Sequence, residues 1–315
     1  MKGTPANDTV KGGQLLTEAR KALGGEDKFK GVQRLEVKGK SARVPQGNTS
    51  IEGNFEYSFE LPDKFRHKEN LGLSDISIDI LQVLNGQEAT TKTDLGGAAA
   101  NIGGFDDGGG NRGGRGGRGG RGNDIARFLT GGAASDDPEV NRKSLATQMA
   151  RLVMALMLST SETVAWVGVA ESPDGRADVL EFKTPDGVPT HLVLDEKTHL
   201  PLMLTWMGTV QQPFNRGGGG GGGNFRGGGP PNFPQSQSPA QAQQQGRRGG
   251  GNAAAQQPQP LQMHLSDYKT VNGMKFPHLI QSGANNETTE ELVVKSIRVN
   301  PSFRADLFTA NTNTK

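Results

Sequence analysis

The stretch Ile51–Leu61, IEGNFEYSFEL, constrains the fold most. Ile51, Phe55, Tyr57, Phe59 and Leu61 point one way, while Glu52, Asn54, Glu56, Ser58 and Glu60 point the other. Period-two alternation of this length means a sheet with one apolar face and one wet face. Its neighbours continue the pattern. Leu35 and Val37 alternate with Glu36 and Lys38, Pro62-Asp63 makes a turn, and Lys64–Leu71 reads as a return strand. Ile76, Ile78 and Ile80 follow, and Leu84-Asn85-Gly86 signals a hairpin.

A second series begins near Thr163. Strands are expected at Thr163–Ala170, Ala177–Lys183, Thr190–Leu194 and Leu202–Val210, with turns at Ser172, Pro185 and Asp195. Gln262–Val271 and Met274–Ser282 flank Asn272-Gly273, a second hairpin, and Glu290–Val299 is the last strand. Ten or eleven antiparallel strands result. Two helices join them. Gln14–Leu23 sets Leu15, Leu16, Ala19, Ala22 and Leu23 on one face and stops at Gly24-Gly25. Asp137-Pro138 opens the other, with Leu145, Met149, Leu152, Val153 and Leu156 as its stripe. Its last turns, Val153–Leu158, are apolar nearly all round, so they are buried on both sides or cover an apolar cavity.

Composition matters because glycine is uneven. Of 47 glycines, 26 fall in two tracts, residues 96–123 (counted after Gly97) and 211–260. The second tract also holds seven prolines and eleven glutamines. Neither tract buries enough apolar area to offset chain entropy, so both are expected to be disordered inserts in a single domain spanning 1–315. The tracts carry eight arginines against Asp106 and Asp107, whereas the whole chain is +2, which leaves the remainder at −4. That sign disfavours a nucleic-acid site on the folded part. The chain has no cysteine, so disulfides and thiolate metal sites are excluded. Its longest wholly apolar run, Leu152–Leu158, falls far short of the ~20 residues that span a bilayer. The start, MKGTP, has no apolar segment of signal-peptide type, so either the protein is cytoplasmic or a leader was removed.

The order of elements carries a resemblance. A helix ending ALGG precedes VQRLEVKGK, a long strand and LPDKFRHKE. ILQVLNGQEA, the second helix, ADVLEFKTPDGVPTHLVLDEKTHLPLMLTWM and LSDYKTVNGMKFPHLI follow. The chain resembles the outer-membrane lipoprotein carrier/sorting (LolA/LolB-like) family over most of its non-tract residues. The resemblance implies a mainly β fold with helices (α+β): a curved antiparallel sheet, an incomplete barrel, closed by a helical lid. It further implies binding of lipid or lipoprotein acyl chains in an apolar concavity, without catalysis or cofactor, in the periplasm or at the inner face of the outer membrane. The Gly-rich inserts depart from the family pattern, and the arginine that latches the lid in carriers finds no match.

The lining expected for such a cavity is Leu35, Val37, Ile51, Phe55, Tyr57, Phe59, Ile78, Leu152, Leu156, Leu180, Phe182, Leu204 and Trp206. Met149, Met154, Met157, Met203 and Met207 cluster on the second helix and a following strand. Flexible thioethers suit variable apolar shapes and equally suit a core. Catalytic signatures are missing. The histidines His67, His191, His199, His264 and His278 have no metal-ligand spacing, though His191 and His199 flank one turn. Neither a phosphate-binding loop nor a nucleophile elbow is present.

The run NRGGRGGRGGRGN places Arg112, Arg115, Arg118 and Arg121 as candidates for anionic surfaces. Three readings of it stand: a partnerless solvated linker, weak contact with an anionic membrane surface, and salt-sensitive nucleic-acid binding with the β part as scaffold. The expected function is that of a monomeric, non-enzymatic acyl-chain binder. The alternatives are the nucleic-acid binder and a structural envelope protein that holds no ligand.

Overall fold

The computed structural model describes residues 8–44, 50–73, 76–97, 137–173, 175–209, 257–285 and 287–309. Its chain order begins with α1 (Thr9–Ala22) and α2 (Glu26–Lys30). Five strands follow: β1 (Arg34–Arg43), β2 (Ile51–Glu60), β3 (Lys64–Leu73), β4 (Ile76–Asn85) and β5 (Glu88–Gly97). A helix, α3 (Pro138–Met157), leads to β6 (Ala165–Ser172), β7 (Gly175–Lys183), β8 (Pro189–Asp195) and β9 (Pro201–Gly208). The chain closes with β10 (Gln259–Val271), β11 (Met274–Ala284) and β12 (Glu287–Val299).

All twelve strands form one sheet, ordered β5-β4-β3-β2-β1-β12-β11-β10-β9-β8-β7-β6. Two antiparallel meanders are thus joined where the first strand meets the last, with Leu35 opposite Val299 and Val37 opposite Ile297. The edges β5 and β6 lie at opposite ends of the sheet, so it remains open. Asn272 and Gly273 both adopt positive φ, 51° and 74°, the backbone a two-residue hairpin needs. Bulges at Lys38/Gly39, Ser282/Gly283 and Trp166/Gly168 add local bend. At Gly39 a Cβ would stand 2.7 Å from the Phe55 ring, so the missing side chain lets that ring lie across β1.

The sheet curls round α3. Asn141 meets Thr91 on β5 (3.2 Å), and Arg151 meets Thr190 on β8 (3.5 Å). Nine inter-strand steps separate β5 from β8, about 43 Å if the sheet were flat. Asn141 and Arg151 are only about 15 Å apart along the helix. Two side chains cannot span the difference, so the strands must wrap.

The strand positions hold with few changes. Among the described residues twelve strands replace the expected ten or eleven, because β5 has its own register against β4. The short α2 was also not expected. Helix α1 starts earlier than Gln14, because the Asp8 carboxylate accepts from the Lys11 N–H (2.8 Å) and caps it. Gly96-Gly97 belong to β5 and Gln259-Pro260 to β10, so the structured ends intrude slightly on both Gly-rich tracts as read from composition. Residues 98–123 and 211–256 of those tracts, including Asp106, Asp107, Arg112, Arg115, Arg118 and Arg121, lie outside the described residues.

Candidate binding site

The site is the inner face of the sheet and the helix it wraps. In strand β2 the odd positions face inward: Ile51, Phe55, Tyr57 and Phe59 are buried. Register carries that parity to Leu35 and Val37 on β1, Leu292 and Val294 on β12, and Ile280 on β11. On the far half the same row holds Leu265, Leu204, Leu192 and Leu180. Leu35, Val37, Phe55, Tyr57, Phe59, Leu152, Leu156, Leu180, Phe182 and Leu204 all enter one continuous apolar core. Trp206 sits at its margin, half-buried, with the Arg151 guanidinium 4.3 Å from its ring centroid.

Helix α3 fills the concavity. From Ser144 to Met157 none of its residues is exposed, and Leu152 through Met157 are buried without interruption. Each fully buried Leu, Val or Met side chain contributes about 1.5–3 kcal/mol relative to exposure. Polar contacts seat the helix. Asp137 caps its start, accepting from the Glu139 N–H (2.9 Å), and Thr147 Oγ1 accepts from the Asp186 N–H (3.1 Å). At its end Leu158 adopts a left-handed backbone, and its carbonyl accepts from Arg20 Nε (3.0 Å) and Nη2 (2.7 Å). Arg20 of α1 thereby ties down the C-terminus of α3. Burial depresses the Arg151 pKa to about 10, against the pull of Asp186.

The methionine expectation needs correction. Met149, Met154 and Met157 are buried, but Met207 is 51% exposed and Met203 only half-buried. Strand parity is the reason: Leu204 and Trp206 take the inner face of β9, so Met203 and Met207 face outward. His191 and His199 do not meet; each lies beside a different carboxylate, Glu181 (3.1 Å) and Glu18 (3.8 Å). No group of His, Asp and Glu that could hold a metal occurs among the described residues.

The inner face is polar at one end. Tyr57, His67 and Gln82 are register neighbours across β2, β3 and β4, and Glu69 lies two residues on from His67. Arg43 Nη2 reaches Glu69 Oε2 (2.6 Å) and Glu290 Oε1 (3.0 Å). His67 Nδ1 shares a hydrogen bond with Gln82 Oε1 (2.8 Å), and its ring centroid lies 4.7 Å from that of Tyr57. Burial lowers the His67 pKa to about 4, so the ring is neutral at physiological pH. Burial, reinforced by Glu290 and Glu69, holds the Tyr57 hydroxyl well above its ordinary pKa. Ser41 Oγ, His67 Nε2, Glu69 Oε1 and Gln82 Nε2 are all buried with no hydrogen-bond partner. Ile51 and Ile78, also expected as lining, are buried beside this polar end and outside the main apolar cluster.

No family model and no curated protein matches the chain. Solved structures do. One is a domain named for outer membrane lipoprotein sorting from Vibrio parahaemolyticus, at 10% identity and a TM-score of 0.43, covering 96% of this chain and 98% of that one. A DUF1329 family protein from Desulfovibrio piger aligns at 8% identity and a TM-score of 0.43, covering 96% and 98%. A LolA superfamily protein from Nitrosomonas europaea aligns at 7% identity and a TM-score of 0.42, covering 95% and 97%. The first is named for lipoprotein sorting and the third for the LolA superfamily, and all three align at low identity.

Proposed function

We propose that this protein is a non-catalytic carrier that holds acyl chains of lipid or lipoprotein on the inner face of its open sheet, α3 giving way as the chain enters. The observation that carries the reading is α3 itself. Its stretch from Ser144 to Met157, with no exposed residue, occupies an apolar trough whose walls come from both meanders. The helix is attached by a small number of polar contacts spread along its length: Asn141–Thr91, Thr147–Asp186, Arg151 with the β7–β8 turn, and Leu158–Arg20. A helix held apolar-side-in by a few polar contacts is a displaceable plug, and what replaces it must be equally apolar and elongated. The reading places the protein in the periplasm or at the inner face of the outer membrane, as a monomer.

The test uses the absence of native cysteine. Thr91→Cys with Asn141→Cys, two positions whose side-chain oxygens lie 3.2 Å apart, ties α3 to β5 on oxidation. A fluorescent long-chain acyl probe should bind the reduced double variant and the delipidated native protein, and oxidation should abolish binding. Native mass spectrometry of the freshly purified protein should show acyl species bound. A protein that purifies clean and ignores the probe in every form overturns the proposal.

A second reading has its own support. The protein's own helix occupies the trough, as it would in a structural envelope protein without ligand. Probe binding that is indifferent to the oxidised tie favours this reading, because it places the probe outside the trough.

A further inference from the structure

We propose that the polar end of the inner face seats the head of the ligand, and that this head is a primary ammonium, or a group equally rich in N–H donors, on an alkyl or acyl chain. The inference rests on the acyl-binding reading and adds to it the chemistry of the head. Two features of the cluster carry it.

The first is hydrogen bonding. Glu69 Oε1 and Ser41 Oγ are buried acceptors with no partner, in residues 0% and 2% exposed. Buried polar atoms are nearly always matched. Several unmatched atoms on one patch of an inner face therefore mark a place where something else supplies the match. Glu69 Oε1, an acceptor alone when ionised, asks for an N–H donor, and the Ser41 hydroxyl can accept a second. Gln82 Nε2, equally buried and unmatched, asks for an acceptor, such as the hydroxyl or ester oxygen that sits beside the amine in an amino-alcohol head.

The second is charge. Arg43 bridges the carboxylates of Glu69 and Glu290, and His67, 3.6 Å from Glu69 Oε2, is neutral. Among the described residues the cluster is therefore one positive charge short. A cation restores balance, whereas an anionic head would face two carboxylates across one guanidinium. Access is from the rim, since the Glu290 side chain is 24% exposed and that of Arg43 12%. Phe59, Phe65 and Leu84 form the next inward row along from Tyr57, His67 and Gln82, so the chain attached to such a head runs directly into the main core.

The test compares four twelve-carbon probes in competition with the fluorescent acyl probe, on the full-length delipidated protein: dodecylamine, dodecyltrimethylammonium, dodecanol and dodecanoate. The amine should bind about tenfold tighter than dodecanoate and the trimethylated form. Glu69→Gln and Ser41→Ala should each remove most of that preference and leave dodecanol unchanged. Ser41→Ala deletes one oxygen and is the variant that keeps the test valid if Glu69→Gln does not fold. Equal binding of amine and trimethylated amine overturns the N–H assignment. Equal binding of all four overturns head recognition while the acyl reading stands. Failure of all four, dodecanol included, overturns the acyl reading and this inference with it.

Discussion

His67 offers the sharpest physical test of the inner-face cluster. Its ring is 2% exposed and carries a pKa of about 4, where an ordinary histidine lies near 6.5. Burial is the main cause, and the nearby Arg43 and Arg66 charges work in the same direction, against the Gln82 hydrogen bond and Glu290. The folded pKa is below the unfolded one, so the unfolded chain takes up the proton first as pH falls. The stability this histidine contributes is complete above about pH 6.5 and drains away between there and about pH 4. The full span is about 3 kcal/mol. Between about pH 7.5 and about pH 5.5 the loss is about 1.4 kcal/mol. His67→Gln keeps a hydrogen-bonding group opposite Gln82 and removes the titration. Urea unfolding of both proteins, followed by Trp166 and Trp206 fluorescence, gives the comparison. The native protein should lose about 1.4 kcal/mol more than the variant over that interval. The other histidines and the carboxylates cancel, because both proteins contain them. A stability gap that stays constant with pH would refute a buried, neutral His67.

Other perturbations test other parts of the molecule. Leu156 is 1% exposed, so Leu156→Ala should cost about 2–5 kcal/mol in unfolding free energy, and Leu156→Asp should abolish acyl-probe binding by setting a charge in the trough. Probe affinity unchanged by Leu156→Asp would show that the ligand does not enter there. Arg43→Met strands the fully buried Glu69 carboxylate and should cost about 3–5 kcal/mol, read by thermal or urea unfolding; Arg43→Met with Glu69→Met should recover most of it. Replacing residues 210–256 with a short turn should leave circular dichroism and probe binding intact, because Gly208 and Gln259, which flank the segment, are already register partners in β9 and β10. Loss of the folded signal on that exchange would assign the segment a role in the sheet.

Much of the fold was legible because alternation and turn chemistry are local. Ile51–Phe59 shows its parity within one strand, and Asn272-Gly273 allows essentially one hairpin. The greasy end of α3 likewise showed burial on both sides. The elements missed are those whose local signal is weak. Strand β5, with Thr91 and Thr93 at its inward positions, looks polar, and it is a strand because β4 offers it an edge. The five-residue α2 is too short to show a period. The polar cluster escaped for a different reason. No site role is assigned to His67, Glu69 or Gln82 from the sequence, yet their parity is visible. Phe65 and Leu71 bracket His67 and Glu69 at spacing two, and Ile80 and Leu84 bracket Gln82. A polar residue in an apolar row is a buried polar residue. What no local pattern gives is that Arg43, Glu69 and Glu290 meet, since that depends on the pairing of β1 with β12. The same holds for Arg20, whose contact with Leu158 lies 138 positions away.

That pairing has a consequence for synthesis. Leu35 emerges from the ribosome 264 residues ahead of its partner Val299. At ordinary elongation rates the interval is roughly a quarter of a minute to a minute. Throughout it the first meander holds an unpaired central strand, with the inner edge of β1 open to any other β-strand nearby. The trough cannot assemble from one end, as a helical bundle might; it closes only when the whole chain is available at once. A ribosome-stalled chain ending before Glu287 should therefore remain protease-sensitive across β1–β5, and release of the full chain should protect those strands together.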